Sequence, residues 1–192
     1  MTKAHTRIAA TLWIASLLLA AGGAANAQQQ AHTHGRIALD VAVTAQSITL
    51  EMEAPLDNFL GFERAPRTDT ERRQVAAMVA RLKAADTLFI PDPKAGCTLA
   101  QVKLDSAVLA IGDSAAPAPA AAAKAGKDTV EHADIDIAIT FTCTKAGEAR
   151  FIDVKLFDAF KAVKAIDAQV ASGQGQFKRS LSRNASTLRW GK

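Results

Sequence analysis

Apolar residues occupy every second position in two stretches near the start of the chain, residues 37–43 and residues 48–52. Alternation with a period of two is typical of β-strands that bury one face and expose the other. Only a few residues around Ala45–Gln46 separate the two stretches, so they predict an antiparallel hairpin. The turn contains neither Gly nor Asn, which leaves its type and its register open.

A helix is predicted over residues 69–85. Thr68 and Glu71 have the spacing of a capping box, in which the Thr hydroxyl accepts from the Glu amide and the Glu side chain reaches back. Apolar residues then follow at positions 75, 78, 79 and 82, which places them on one helical face. This is the main amphipathic helix that the pattern predicts.

Further strand patterns fill the second half of the chain. The alternation between Cys97 and Ile111 changes phase at Ala100–Gln101, which indicates a β-bulge. The clearest strand runs from His132 to Cys143, and its apolar positions put Cys143 on the buried face. Shorter strands are predicted at residues 87–91 and 150–156, a short turn or helix at residues 158–160, and a last hairpin around residues 172–176.

The order of these elements predicts an α+β fold. The strands follow one another with short connections, which favours a mostly antiparallel β-sheet with one main helix. Residues 112–130 differ, because they are rich in Ala, Pro and Gly and have no apolar period. Their prolines and glycines oppose helix formation, so we predict a flexible surface linker inside the domain.

The first 27 residues have the form of a secretory signal peptide. Lys3 and Arg7 give a positive start, an apolar run follows, and Ala25-Asn26-Ala27 fits the small-x-small cleavage pattern. At about 14 residues the apolar run is short for a membrane span. We therefore predict cleavage after Ala27 and a single periplasmic domain over residues 28–192. An uncleaved N-terminal anchor is the alternative.

Export changes the charge balance. The whole chain has 23 basic and 19 acidic residues, a net charge of +4. Lys3 and Arg7 are removed with the signal peptide. The mature chain then has 21 basic and 19 acidic residues, a net charge of +2. The mildly basic C-terminal tail is interpreted as a solvated edge and not as a nucleic-acid site. The pattern also predicts no membrane insertion after signal cleavage.

The two cysteines, Cys97 and Cys143, both lie in the mature part. Two cysteines in an exported chain most often pair, and a bridge around about 47 residues contributes on the order of 4 kcal/mol in the chain-entropy model. A pair of thiolate metal ligands is the alternative, although the C-x-x-C spacing of such sites is missing. Catalytic motifs such as G-x-S-x-G and H-E-x-x-H are also missing, so the sequence predicts a protein that is not an enzyme.

Two of the four histidines, His32 and His34, stand at the predicted mature N-terminus. In an extended chain, residues i and i+2 point the same way, and two imidazoles on one side can chelate Zn²⁺ or Cu²⁺. If Ala45–Gln46 is a two-residue turn, paired positions sum to 91. His34 then lies opposite Asp57 on the solvent face, where a carboxylate would complete or orient a site. The alternative is a polar leader with no metal role.

A second pair, His132-Ala133-Asp134, also falls on a predicted solvent face. It could supply a third imidazole and another carboxylate if its strand lies near the first hairpin. The alternative for His132 is an exposed or capping residue at the start of a strand.

Several segments together resemble one family. The order is H-x-H-G before alternating strands, then NFLGFERAPRT, a Gly-Cys pair at Cys97, HADI followed by FTC, and DVKLFDAF. This order resembles the zinc-regulated periplasmic proteins of bacteria, the ZrgA-like proteins long catalogued as a domain of unknown function. The likeness covers nearly all of residues 32–190, and the GFE-x-APRT stretch is its most specific piece.

The resemblance implies a periplasmic protein of zinc homeostasis or uptake that binds Zn²⁺ through histidines and acids. It also implies a zinc uptake transporter, or the binding protein of one, as partner. His32 and His34 match the opening H-x-H-G, and His132 matches the histidine before the second cysteine strand. Two departures stand out. Arg64 replaces the histidine of the usual GFEHAP, and the middle segment lacks the His- and Asp-rich loop of many members.

The sequence therefore predicts at most one site of low nuclearity, and its candidate ligands are His32, His34, His132, Asp134 and Asp57. The alternative function is an envelope binding or scaffold module without a metal role, which the two departures favour.

Overall fold

The predicted hairpin forms the centre of the fold. The computed structural model describes residues 33–115 and 133–191; the predicted signal peptide and most of the predicted linker lie outside these ranges. Strand β1 (Arg36–Val43) pairs antiparallel with β2 (Ser47–Pro55), and Ala38 lies opposite Glu53, the register predicted from a turn at residues 45 and 46. The alternate apolar side chains are buried, as the period of two predicts.

Six strands make the larger sheet. Beside β1 and β2 it contains β4 (Cys97–Asp105), β5 (Asp134–Cys143), β7 (Ala165–Ser172) and β8 (Gly175–Ser182). The spatial order is β4-β5-β2-β1-β7-β8. All neighbours are antiparallel except β1 and β7, which run parallel. The expectation of sequential neighbours therefore holds within the hairpins and fails between them, because β1 bonds to a strand more than a hundred residues later.

A smaller sheet completes the core. Strands β3 (Phe89–Pro91), β6 (Phe151–Val154) and β9 (Thr187–Arg189) pair antiparallel in the order β3-β6-β9. Buried side chains of this sheet join one hydrophobic cluster with the inner face of the larger sheet and with the main helix, through residues such as Met78, Phe89, Phe141, Ile152 and Leu188. The α+β class with a mostly antiparallel sheet is confirmed.

The helices are one long element and several short ones. The main helix α2 (Asp69–Lys83) has the predicted capping box between Thr68 and Glu71 and buries Met78 and Leu82. Single turns are formed by α1 (Asp57–Leu60), α3 (Leu156–Ala159) and the 3₁₀ segments Ala85–Thr87, Pro93–Ala95, Gly112–Ala115 and Ala146–Glu148. Within the described ranges, none of the helices has the length and apolar character to cross a bilayer.

Two predicted strands are shorter than their sequence pattern. The stretch expected to reach Ile111 ends at Asp105, because Ser106 and Ile111 bond to each other across a tight loop. The strand expected over residues 150–156 ends at Val154, because the buried Leu156 opens α3. In both cases the pattern of apolar residues continues past the last residue of the strand, so the pattern alone does not predict where the strand ends.

The two cysteines form the predicted disulfide. Cys97 and Cys143 are directly opposite each other in the β4–β5 ladder, with their Cα atoms 3.9 Å apart. The register shift between Leu99 and Gln101 confirms the predicted bulge. The bridge ties an edge strand to its neighbour and leaves no thiolate at either position.

Removing the disulfide should therefore weaken the fold. For Cys97→Ala/Cys143→Ala we expect the free energy of unfolding to fall by about 2–4 kcal/mol, because the denatured chain regains the entropy of an open loop. Urea denaturation measures this value, and the reduced wild-type protein is the matched control. A loss below about 1 kcal/mol in both would contradict a structural bridge of the expected strength.

Candidate metal centre

His34 and Asp57 meet at the end of the β1–β2 ladder. His34 lies in the turn before β1, and Asp57 is the first residue of α1, directly after β2. The ladder register, in which Ala38 faces Glu53, continues toward this pair. His34 Nδ1 lies 2.9 Å from Asp57 Oδ2, so the structure brings together the pair that the two-residue turn predicted.

A third donor comes from Glu63, in the loop between α1 and α2. Its Oε1 lies 3.3 Å from Nε2 of His34. Among the residues that the structure describes, one ligand atom from each of His34, Asp57 and Glu63 falls within 4.8 Å of the others. Glu63 was not among the candidate ligands predicted from the sequence, although it lies in the stretch that carries the family resemblance most specifically.

Two carboxylate oxygens in this group are buried without a hydrogen bond from any described residue. They are Asp57 Oδ1 and Glu63 Oε1. The 3.3 Å approach of His34 to Glu63 is an ion-pair contact that lacks the alignment of a hydrogen bond. The two carboxylate side chains are only 20% and 18% exposed, whereas His34 is 64% exposed. Buried carboxylate oxygens are normally satisfied by a donor or a cation.

A buried asparagine holds the histidine segment in place. Asn58 is 1% exposed; its Oδ1 accepts from Gly35 N at 2.6 Å, and its Nδ2 donates to Arg36 O at 3.0 Å. Gly35 has φ +79°, and a Cβ there would lie 2.9 Å from Lys164 Cγ, so glycine suits the position. Two hydrogen bonds thus join the side chain of Asn58, the residue after Asp57, to the backbone that follows His34.

Arg64 fixes the loop between α1 and α2, which contains Glu63. Its guanidinium binds Glu71 at 2.7 and 3.1 Å, and Glu71 also accepts from the backbone N–H groups of Arg67 and Thr68. The hydrogen bond from Arg64, followed by that from Arg67 N, lowers the pKa of Glu71 to about 2, and Glu71 in turn raises the pKa of Arg64. The Arg64–Glu71 pair therefore anchors the loop that contains Glu63 to the start of α2.

Two of the other predicted ligands, His32 and His132, lie outside the described residues. Asp134 is the first residue of β5, paired with Pro55 in the ladder, and it is not part of the three-residue group.

Comparison with known proteins identifies the family. The family model described as "ZrgA family zinc uptake protein" matches residues 31–190. The chain belongs to the ZrgA family. No curated protein matches it significantly. The match confirms the resemblance, gives the ZrgA chain a zinc-related role, and places it in a family linked to zinc uptake and not in a known enzyme family.

Loss of the asparagine bridge should disturb the site. Asn58→Ala leaves the N–H of Gly35 buried without its acceptor, so we expect the free energy of unfolding to fall by about 1–3 kcal/mol. Asn184→Ala, at an exposed turn position, should change it by less than about 0.5 kcal/mol. Urea denaturation measures both values, and equal effects of the two variants would contradict the bridging role.

The Arg64–Glu71 pair predicts a pH dependence. The folded pKa of about 2 lies below the ordinary 4.5, so the stabilising effect of Glu71 is fully present above pH 4.5 and is lost as pH falls toward 2. Glu71→Gln should flatten this part of the acid-unfolding profile. Glu148→Gln, which removes a half-exposed partner of Lys145, should leave the profile nearly unchanged. A profile of Glu71→Gln that parallels the wild type would be evidence against this assignment.

Proposed function

We propose that this ZrgA-family protein is a periplasmic zinc-binding protein whose site is built on His34, Asp57 and Glu63, and that it supports zinc uptake. The observation that carries the proposal is the convergence of one imidazole and two carboxylates, with two buried carboxylate oxygens that accept no hydrogen bond from the described residues. Membership of a zinc uptake family supports zinc as the ion.

The donor types suit Zn²⁺. Imidazole nitrogen and carboxylate oxygen are ordinary zinc ligands, and zinc most often takes four ligands in a tetrahedron. Each ring nitrogen of His34 faces a carboxylate. A zinc ion bound at one nitrogen would displace a proton, while the other nitrogen donates to the remaining carboxylate. Such a carboxylate–histidine arrangement orients the ring of a metal ligand.

Two further histidines are proposed to complete the ligand set. His32 precedes His34 by two residues in the H-x-H pair. The support for His132 comes from its neighbour in the chain, because Ala133 O accepts from Leu56 N at 2.8 Å and Leu56 directly precedes Asp57.

The rival function is an envelope module without a metal. The specific observation in its favour is that both nitrogens of His34 already face carboxylates, so a protonated His34 would satisfy the group as an ion pair. The two functions differ in what zinc does to stability. A ligand that binds only the native state at 100 times its dissociation constant adds roughly 2.7 kcal/mol.

Zinc affinity is the direct test of the proposal. We expect the chelator-stripped protein to bind one Zn²⁺ in competition with a chromophoric chelator. His34→Ala and Glu63→Gln should weaken binding at least about tenfold, since loss even of a group that only orients a metal ligand typically costs 10–100-fold in affinity. Glu148→Gln and Asp86→Asn, which remove acids elsewhere on the surface, are the charge-matched controls. Equal affinity in site and control variants would overturn the assignment.

Zinc binding should also depend on pH. Imidazoles must be neutral to bind metal, so protons compete with zinc as the pH falls. We expect the affinity to fall steadily between pH 7.5 and 5 in the same competition assay. An affinity that is unchanged over this range would contradict a site based on histidine.

A further inference from the structure

A cavity lies at the end of β1 opposite the candidate zinc site. It has a volume of about 480 Å³, and three loops contribute to its lining: the β1–β2 turn with Thr44, the segment Ala146–Glu148, and the β7–β8 turn with Gly173. His34 precedes the first residue of β1, whereas Val43, the last residue, lines the cavity. The strand has eight residues, which separates the two places by roughly 25 Å.

Two paired residues of the smaller sheet bring polar groups to this cavity. Trp190 N donates to Arg150 O at 3.1 Å, which extends the β6–β9 ladder by one pair beyond Phe151 and Arg189. Directly opposite residues of a ladder point to the same face, and residues two apart along a strand share that face. Ile152 is buried in the core, so Arg150 and Trp190 lie side by side on the inner face, where the core meets the three loops.

The guanidinium of Arg150 is held by backbone carbonyls and not by an acid. Its Nη1 donates to Gly147 O and to Ala149 O, both at 2.9 Å. No carboxylate of the described residues pairs with this half-buried cation, and its Nη2 and Nε donate to none of the described residues. A guanidinium has N–H groups on each of its edges. The edge formed by Nη2 and Nε is therefore available, in a position that the backbone already fixes.

The indole of Trp190 supplies a second donor without a partner. Trp190 lines the cavity and is 2% exposed, and its Nε1 is buried with no acceptor among the described residues. A buried indole N–H normally has a hydrogen-bond partner. A cation and a donor that are adjacent in one cavity and lack acceptors indicate a ligand with negative charge and acceptor oxygens.

The rest of the lining suits a carbon skeleton. Val43, Ala45 and the ring of Trp190 provide apolar surface. A Cβ at Gly147 or Gly173 would meet no atom within 4 Å, so both glycines leave room around the cavity. Its volume of about 480 Å³ lies in the range of small-molecule sites, roughly 300–1,000 Å³, and is larger than an inorganic anion fills.

We propose that this cavity binds a small organic acid, whose carboxylate accepts hydrogen bonds from Arg150 and from the indole N–H of Trp190. The two oxygens of a carboxylate match one edge of a guanidinium through parallel N–H···O bonds. One cation without an acidic partner favours a monocarboxylate over a polyanion. The carbon skeleton of the acid packs against Val43 and the indole ring. This proposal does not depend on the binding of zinc.

The fluorescence of Trp190 reports on the cavity directly. The chain has two tryptophans and no tyrosine, and the other tryptophan, Trp13, lies in the predicted signal peptide. The protein purified after export is titrated with the sodium salts of aliphatic acids from acetate to octanoate and with the neutral amide of each acid. Sodium chloride at the same concentrations is the control for ionic strength.

We expect at least one acid of the series to change the fluorescence in a saturable way. That acid should bind at least about tenfold more tightly than its amide, because the amide cannot form charge-assisted hydrogen bonds with Arg150. The comparison of acid with amide needs no variant, so it decides the proposal even if a substitution of Arg150 prevents folding.

Two variants separate the cavity from the general charge of the surface. Arg150→Gln removes the cation of the cavity. Arg189→Gln removes a cation from the neighbouring pair of the ladder, where the guanidinium of Arg189 lies over the ring of Phe151 at 5.2 Å. We expect Arg150→Gln to bind the best acid at least about tenfold more weakly and Arg189→Gln less than about twofold more weakly. Circular dichroism checks that both variants are folded.

Three results would overturn the proposal. The first is that acids and amides bind alike, or that no acid has a larger effect than sodium chloride. The second is equal weakening by folded Arg150→Gln and Arg189→Gln. The third is that inorganic phosphate, titrated in the same way, binds more tightly than every acid of the series, which would make the cavity a site for an inorganic anion.

Discussion

The position of β1 in the sheet is the constraint on which the rest of the structure depends. The strand is paired on both sides, antiparallel to β2 and parallel to β7, and its apolar side chains from Ile37 to Val43 are buried. A slip of one residue would move all of them to solvent, so the register is strongly specified. That register places His34 beside Asp57.

Much of this fold could be predicted from local patterns. Alternation and a two-residue turn were sufficient for the hairpin register, because the period of two links each residue to one face. The capping box at Thr68 predicted the start of α2, since a cap is a local interaction. The parallel pairing of β1 with β7 could not be predicted in this way. It joins residues such as Arg36 and Ala165, and no turn or short loop relates them.

The candidate site likewise contains residues that local sequence patterns predict and residues that they do not. His34 and Asp57 were paired through the hairpin register, which the sequence expresses directly. Glu63 lies in a loop between two helices, where no periodicity relates a side chain to its neighbours in space. Arg64 looked like a lost ligand, but the structure gives it another role, because it binds Glu71 and anchors the loop that carries Glu63. His32, His132 and Asp134 stay predictions that rest on their positions in the chain.

Location of the ion tests the central claim most directly. Anomalous diffraction at the zinc edge, from crystals of the zinc-loaded protein, would place the metal without reference to any variant. The account predicts a zinc peak about 2.0–2.2 Å from a nitrogen of His34 and from an oxygen of Asp57 or Glu63. A zinc ion bound elsewhere, with His34 still held between the two carboxylates, would contradict it.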